Sequence, residues 1–162
     1  MPGWVTYEDE KTPKKYKKIT DITNKEKVIK IDFSKCNMKC LPKDMIFPKL
    51  QTLNIDNNKL ESFPVSLIKN CPSITSISFN NNQFKTLPDN MNFPNLKMFE
   101  CSYNKLSSLP YNMNFPNLET FICSENNLSS LPDNMNFPNL KMFECSYNKL
   151  SSLPDNMNFP NL

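Results

Sequence analysis

Residues 96–117 read LKMFECSYNKLSSLPYNMNFPN, and residues 118–139 and 140–161 align with them without a gap. One period of 22 earlier lie residues 74–95. Before these come residues 50–73, which carry two extra positions, and residues 28–49, again a unit of 22. That makes six copies, with Leu162 opening a seventh. In residues 96–117 the apolar positions are Leu96, Phe99, Cys101, Leu106, Leu109, Met113 and Phe115. Self-similarity at a fixed period of this size marks a chain built from stacked units, each unable to bury its apolar edge alone.

Each copy follows one pattern: L-x-x-L-x-L-x-x-N-x-L-x-x-L-P, then a stretch such as D-N-M-N-F-P-N. The L-x-L segment alternates with period two, which predicts a short strand with one buried face. Proline at the L-P step and again at F-P interrupts any α-helix between strands, so the return limb is expected to be extended or a 3₁₀ turn. In-phase stacking then gives a curved solenoid with a parallel sheet on one side. The pattern resembles that of the leucine-rich-repeat family over residues 28–162. The resemblance implies an α/β-type horseshoe solenoid, with the parallel β-sheet on the concave face and extended or 3₁₀ segments on the convex face. In composition and repeat style the chain is similar to leucine-rich-repeat proteins of giant DNA viruses and AT-rich protists.

The resemblance also gives a role to Asn58, Asn82, Asn104, Asn126 and Asn148, which recur in phase. In the family this side chain bonds turn backbone and forms a ladder between repeats. A buried amide needs such partners, since leaving one unpaired costs roughly 1–3 kcal/mol. Cys36 takes this place in the first repeat. The chain has a single glycine, Gly3. Turns needing positive φ must therefore use asparagine, the next most tolerant residue. The pairs Asn57–Asn58, Asn81–Asn82 and Asn126–Asn127 are expected there. The abundance of asparagine, 25 residues, reads otherwise as AT-rich codon drift.

Composition excludes several chemistries. There is no histidine, hence no Ser–His–Asp or Cys–His arrangement and no imidazole metal ligand. One glycine rules out a glycine-rich phosphate loop. Among the six cysteines, Cys101, Cys123 and Cys145 hold the same inward strand position and are expected to stack as a buried column rather than pair. Cys36 and Cys40 lack a second pair that would make a metal site. No catalytic residue, metal site or cofactor is expected, and the chain reads as a non-enzyme.

The partner surface implied by the resemblance is the concave sheet. Its C-terminal half presents Met98, Glu100, Tyr103, Ile122, Glu125, Met142, Glu144 and Tyr147, whereas its N-terminal half is small and polar. Tyrosine and methionine suit an interface, and the carboxylates favour a basic rim on the partner. Residues 89–118 and 133–162 are identical except for Tyr111 against Asp155, so the paired sets also reflect duplication of a 44-residue unit. The expected function is a non-enzymatic protein–protein interaction module. The alternative is an adaptor that recruits a substrate to machinery such as ubiquitin ligation.

A net charge of +3 argues against a nucleic-acid surface. The N-terminus has no apolar secretory core, and no stretch approaches the roughly 20 apolar residues that span a bilayer, so no membrane contact and an intracellular, cytoplasmic location are expected. Residues 1–27 fall outside the repeat. Lys11, Lys14, Lys15, Lys17 and Lys18 lie there beside Glu8, Asp9 and Glu10, as in a solvated tail. Residues 19–27 are expected to cap the first repeat. At the other end, the strand near Cys145 is expected to be an exposed edge, where the last repeat frays, pairs with another chain in self-association, or continues in a longer protein.

Overall fold

The computed structural model describes residues 1–162. Its elements in chain order are β1 (Gly3–Tyr7), β2 (Lys14–Tyr16), β3 (Val28–Asp32), β4 (Thr52–Asn54), α1 (Ser66–Asn70), β5 (Ser76–Ser78), β6 (Met91–Asn92), β7 (Met98–Glu100), β8 (Met113–Asn114), β9 (Thr120–Ile122) and β10 (Met142–Glu144). One sheet of eight strands runs β10-β9-β7-β5-β4-β3-β1-β2. From β3 to β10 every pairing is parallel, and equivalent residues face each other: Lys30, Thr52, Ser76, Met98, Thr120 and Met142 form one row. The step between neighbouring strands is 22 residues, as between Glu119 and Lys141, except for the 24 that separate Asn57 from Asn81.

Period-two alternation places Ile31, Leu53, Ile77, Phe99 and Phe121 inward, each fully buried. The return limbs bury a second column, Phe93, Phe115 and Phe137, with Phe159 packed partly against it. The columns interlock: Phe99 meets Phe115 at 5.4 Å and Phe121 at 5.6 Å between ring centroids. Edge and tilted geometries of this kind add about 0.5–1.5 kcal/mol per pair beyond area burial.

The return limbs are mostly extended, and β6 pairs with β8 there as a small second parallel sheet. Residues 50–73 differ. Their two extra positions accommodate the α-helix α1, which begins just after Pro64 and so keeps its first turn free of the proline clash. The expectation of extended or 3₁₀ limbs throughout is corrected at this repeat.

The N-terminus also departs from the expected solvated tail. Strand β1 pairs antiparallel with β3, Val5 opposite Ile31 and Trp4 opposite Asp32, and β2 flanks β1. Residues 3–7, rather than residues 19–27, cover the edge of β3. Residues 19–27 form two 3₁₀ turns, Ile19–Asp21 and Lys25–Lys27, and contribute buried Ile19 and Ile22 from the side. The acidic run is neutralised locally by Glu8–Lys49, Asp9–Lys27 and Glu10–Lys14 ion pairs, and Lys15 lies 4.7 Å from the centre of the Trp4 ring. Val5 and Tyr7 join the same continuous core as every repeat, so the cap and the solenoid share one hydrophobic body. The single glycine sits where this docking is tightest. A Cβ on Gly3 would overlap the fully buried Phe33 ring.

Candidate functional site: the open face of the sheet

The sheet face turned from the core carries four rows of side chains, because each repeat contributes equivalent positions at each step. The frame beneath them is set by the recurrent asparagines. The Asn104 side-chain amide donates to the carbonyls of Phe79, Cys101 and Ser102, each at 3.1 Å, while its Oδ1 accepts the Phe84 N–H at 3.1 Å. Asn58, Asn82, Asn126 and Asn148 repeat this arrangement. In the first repeat the Cys36 thiol donates instead to the Ser34 carbonyl at 3.2 Å.

A second asparagine ladder runs along the other side, and the codon-drift reading missed it. Asn95, Asn117, Asn139 and Asn161 each donate to a proline carbonyl of the preceding repeat, Pro72, Pro94, Pro116 and Pro138. The signal was present: these asparagines follow the F-P step at strict repeat spacing wherever Phe-Pro-Asn occurs.

Directly before each ladder residue the backbone turns left-handed. Lys35, Asn57, Asn81, Tyr103, Glu125 and Tyr147 all have φ between 53° and 56°. The expectation that asparagine pairs mark these turns holds at Asn57 and Asn81. It is corrected in the fifth repeat, where Asn126 is itself the ladder residue and Glu125 takes the turn. Tyrosine and glutamate gain nothing locally from a left-handed backbone, which costs an L-residue roughly 1–2 kcal/mol.

The structure sorts the sequence-derived site residues into three groups. Tyr103, Ile122, Glu125, Glu144 and Tyr147 come together with Ser102, Ser124 and Ser146 around one open groove of about 370 Å³. Met98 and Met142 are exposed on the neighbouring row, outside that groove. Glu100 is engaged elsewhere: its Oε2 accepts from the Asn80 side-chain amide at 3.1 Å and lies 3.2 Å from the Ser78 hydroxyl.

These contacts belong to a set of internal polar bonds that occupies the side chains of the first three repeats. Asp32 accepts from the Ser34 hydroxyl at 2.7 Å and the Ser34 N–H at 3.0 Å. Asp56 accepts from the Ser78 hydroxyl at 2.6 Å and the Asn80 N–H at 2.7 Å. Burial pushes the Asp56 carboxyl above the usual carboxylate value. The bonds from Ser78 and Asn80 work against this, and repulsion from Glu100 and Asp32 adds to it. Across the groove of the C-terminal half, by contrast, the side chains of Tyr103, Ser124, Glu125, Glu144, Ser146 and Tyr147 make no hydrogen bond or ion pair within the chain. Ser102 is 7% exposed, and its hydroxyl has no partner at all.

Residues 48–106 match the leucine rich repeat family. Among solved structures, the leucine-rich-repeat domain of a Shigella effector superposes with a TM-score of 0.66 at 24% identity, over 77% of this chain and 52% of that one. YopM from Yersinia enterocolitica superposes with a TM-score of 0.55, also at 24% identity, over 83% of this chain and 32% of YopM. The chain thus spans about half the length of the first and a third of the second. No curated protein sequence matches it. The fold is a leucine-rich-repeat solenoid.

Within this leucine-rich-repeat solenoid the cysteines act as core. All six are free thiols, with Cys71, Cys101 and Cys123 buried and Cys145 partly so. Burial raises the Cys71 thiol to about 11 and holds Cys101 and Cys123 well above their ordinary value. Thiols so far from ionising are poor nucleophiles. No group of three His, Cys, Asp or Glu side chains is placed to hold a metal, and no helix of the solenoid is long and apolar enough to cross a membrane.

Proposed function

We propose that this solenoid is a non-enzymatic protein-interaction module whose partner docks on the C-terminal half of the open, concave sheet face. The observation that carries the reading is the unequal use of polar groups. The N-terminal half consumes its hydrogen-bonding capacity internally, through Asp32, Asp56, Ser78 and Asn80, and Asn80 also occupies Glu100 of the fourth repeat. The C-terminal half leaves two tyrosines, two glutamates and three serines free around one groove. Exposed Met98 and Met142 extend it with adaptable apolar surface. Left-handed tyrosines at 103 and 147 are locally unfavourable, so their side chains suit an intermolecular role better than a turn role. The six free thiols are compatible with a reducing compartment inside the cell.

The test is affinity capture from the native cell with three baits: the unaltered chain, Lys30→Glu on the N-terminal half, and Tyr103→Asn/Tyr147→Asn on the C-terminal half. Asparagine keeps the left-handed turn, so the double variant retains its fold. A partner held by the first two and lost from the third is expected. Equal retention by all three sinks the placement. Recovery of ubiquitin-ligation components with that partner would extend the reading to an adaptor.

A further inference from the structure

Tyr103, Glu125 and Tyr147 occupy the same left-handed position in the bends that follow three successive strands. Their backbone φ angles are 55°, 55° and 54°. They stay in step because the Tyr103 N–H donates to the Ser124 carbonyl at 3.1 Å and the Glu125 N–H to the Ser146 carbonyl at 2.9 Å. Neighbouring strands lie about 4.8 Å apart, so the backbones of Tyr103 and Tyr147 stand roughly 9–10 Å from each other with the Glu125 backbone between them. A group held between the rings would sit about 5 Å from each, inside the ~6 Å range over which an aromatic face attracts a cation.

The charge around this slot is one-sided. Glu125 and Glu144 line it, no lysine lines it, and neither carboxylate is in an ion pair. Glu119, at the opposite end of β9, is by contrast bridged by Lys97 and Lys141. Ser102 lines the same groove, and its shielded hydroxyl lacks a hydrogen-bond partner. A buried polar atom without a partner is rare in a folded chain, and at the wall of a groove it offers a bonding position to a group that enters there.

We infer that this slot is an arginine-binding site. A guanidinium from an extended segment of the partner enters between Tyr103 and Tyr147, pairs with Glu125 and Glu144, and donates to the Ser102 hydroxyl. The inference rests on the interaction reading above and names the chemistry that the site takes. Arginine fits better than lysine. Its planar cation stacks on aromatic faces while its edge presents five donors in a fixed fork, and it sheds water more readily than an ammonium. An acidic segment is excluded by the two carboxylates, and an uncharged apolar one would leave them and the hydroxyl buried without partners.

The experiment is a nuclear magnetic resonance titration of the full chain, following the ring signals of Tyr103 and Tyr147. The probes are blocked pentapeptides of serine and threonine with a central arginine, lysine, norleucine or glutamate. The arginine peptide is expected to shift both rings, with affinity on the order of millimolar for so small a ligand. Glu125→Gln should weaken it about fivefold or more, and added salt should weaken it further. The glutamate and norleucine peptides should leave the rings unmoved. Equal response to norleucine, no response to arginine, or unchanged affinity in Glu125→Gln would each overturn the arginine site. Failure of the interaction reading looks different: the arginine peptide binds, yet capture shows no partner lost from Tyr103→Asn/Tyr147→Asn.

Discussion

The two halves of the open sheet face are built on one backbone and differ in what their side chains do. At the left-handed position the second and third repeats have Asn57 and Asn81, joined to each other by a 2.8 Å side-chain bond. The fourth to sixth have Tyr103, Glu125 and Tyr147, whose side chains bond to nothing in the chain. One row inward, Asp56 and Asn80 knit their repeats together, whereas Ser102, Ser124 and Ser146 do not. Since the frame beneath is the same, the contrast is in the side chains alone. One half has turned its polar groups to holding itself together, and the other has kept them available. A repeat architecture allows this division, because each unit is stabilised by its ladder and its core rather than by its exposed face.

The largest effect is expected at the ladder. Removing a ladder side chain should cost far more than removing anything from the open face. Asn104→Ala deletes three donated bonds and one accepted bond in a buried setting and leaves the Phe79 and Cys101 carbonyls and the Phe84 N–H without that partner. Each stranded group costs about 1–3 kcal/mol, so a loss of roughly 3 kcal/mol or more is expected in urea unfolding. Asn148 makes the same pattern of bonds but is partly exposed, so water can replace some of them. Asn148→Ala should cost roughly half as much. Equal losses would mean that the end repeat is as closed to water as the middle.

The next effect sits at the N-terminal end of the sheet. Gly3→Ala drives a methyl group into the Phe33 ring, and the ring is held in the core. Overpacking of this kind costs typically 1–3 kcal/mol. Because Val5 and Tyr7 belong to the same core as the repeats, the loss should appear in the global transition seen by circular dichroism. A separate early transition would show that the cap unfolds on its own.

The repeat pattern carried the solenoid plainly, since period-two alternation at Phe99 and Cys101 and the recurrence of Asn104 each have one structural solution. Residues 3–7 were not legible in the same way. They form a strand that pairs antiparallel with β2 on one side and, more than twenty residues on, with β3 on the other, and nothing in five residues names the distant partner. The ladder of Asn95, Asn117 and Asn139 was hidden by composition, because a chain rich in asparagine makes any one of them look incidental. At the candidate site the eight side chains were readable as outward-facing. Their grouping was not, because it depends on neighbours one repeat away. Glu100 looks like Glu144 in sequence, yet Ser78 and Asn80 on the preceding repeat occupy it. Tyr103 at a left-handed turn was unreadable for a different reason: tyrosine does not mark such turns, and only the register against Asn57 and Asn81 reveals it.

This register makes a smaller but sharper pair of tests. Tyr147→Asn should stabilise the fold by roughly 0.5–1 kcal/mol, because asparagine tolerates the left-handed backbone better. The reciprocal change, Asn57→Tyr, should destabilise by a similar amount and more, since it also removes the bond with Asn81. Thermal unfolding of both variants decides. If Tyr147→Asn is destabilising, the tyrosine contributes to the fold, and the argument that its side chain is held for a partner fails.

The smallest effect concerns the half that holds itself together, and it depends on pH. Asp56 binds its proton more tightly folded than unfolded, because burial, with repulsion from Glu100 and Asp32, outweighs the bonds from Ser78 and Asn80. Ionising it therefore works against the fold. Below the unfolded value of 3.8 the carboxyl is protonated in both states and there is no penalty. As pH rises from there through the folded value, stability falls, and the penalty is complete at neutral pH. Asp56→Asn removes the charge while its amide oxygen can still accept from the Ser78 hydroxyl and the Asn80 N–H. The variant should be more stable than the parent at pH 7 by a modest margin, and the two should converge near pH 3. A parent that is the more stable at pH 7 would mean that the charge strengthens those two bonds by more than burial costs. The closed network would then be held by its carboxylate rather than in spite of it.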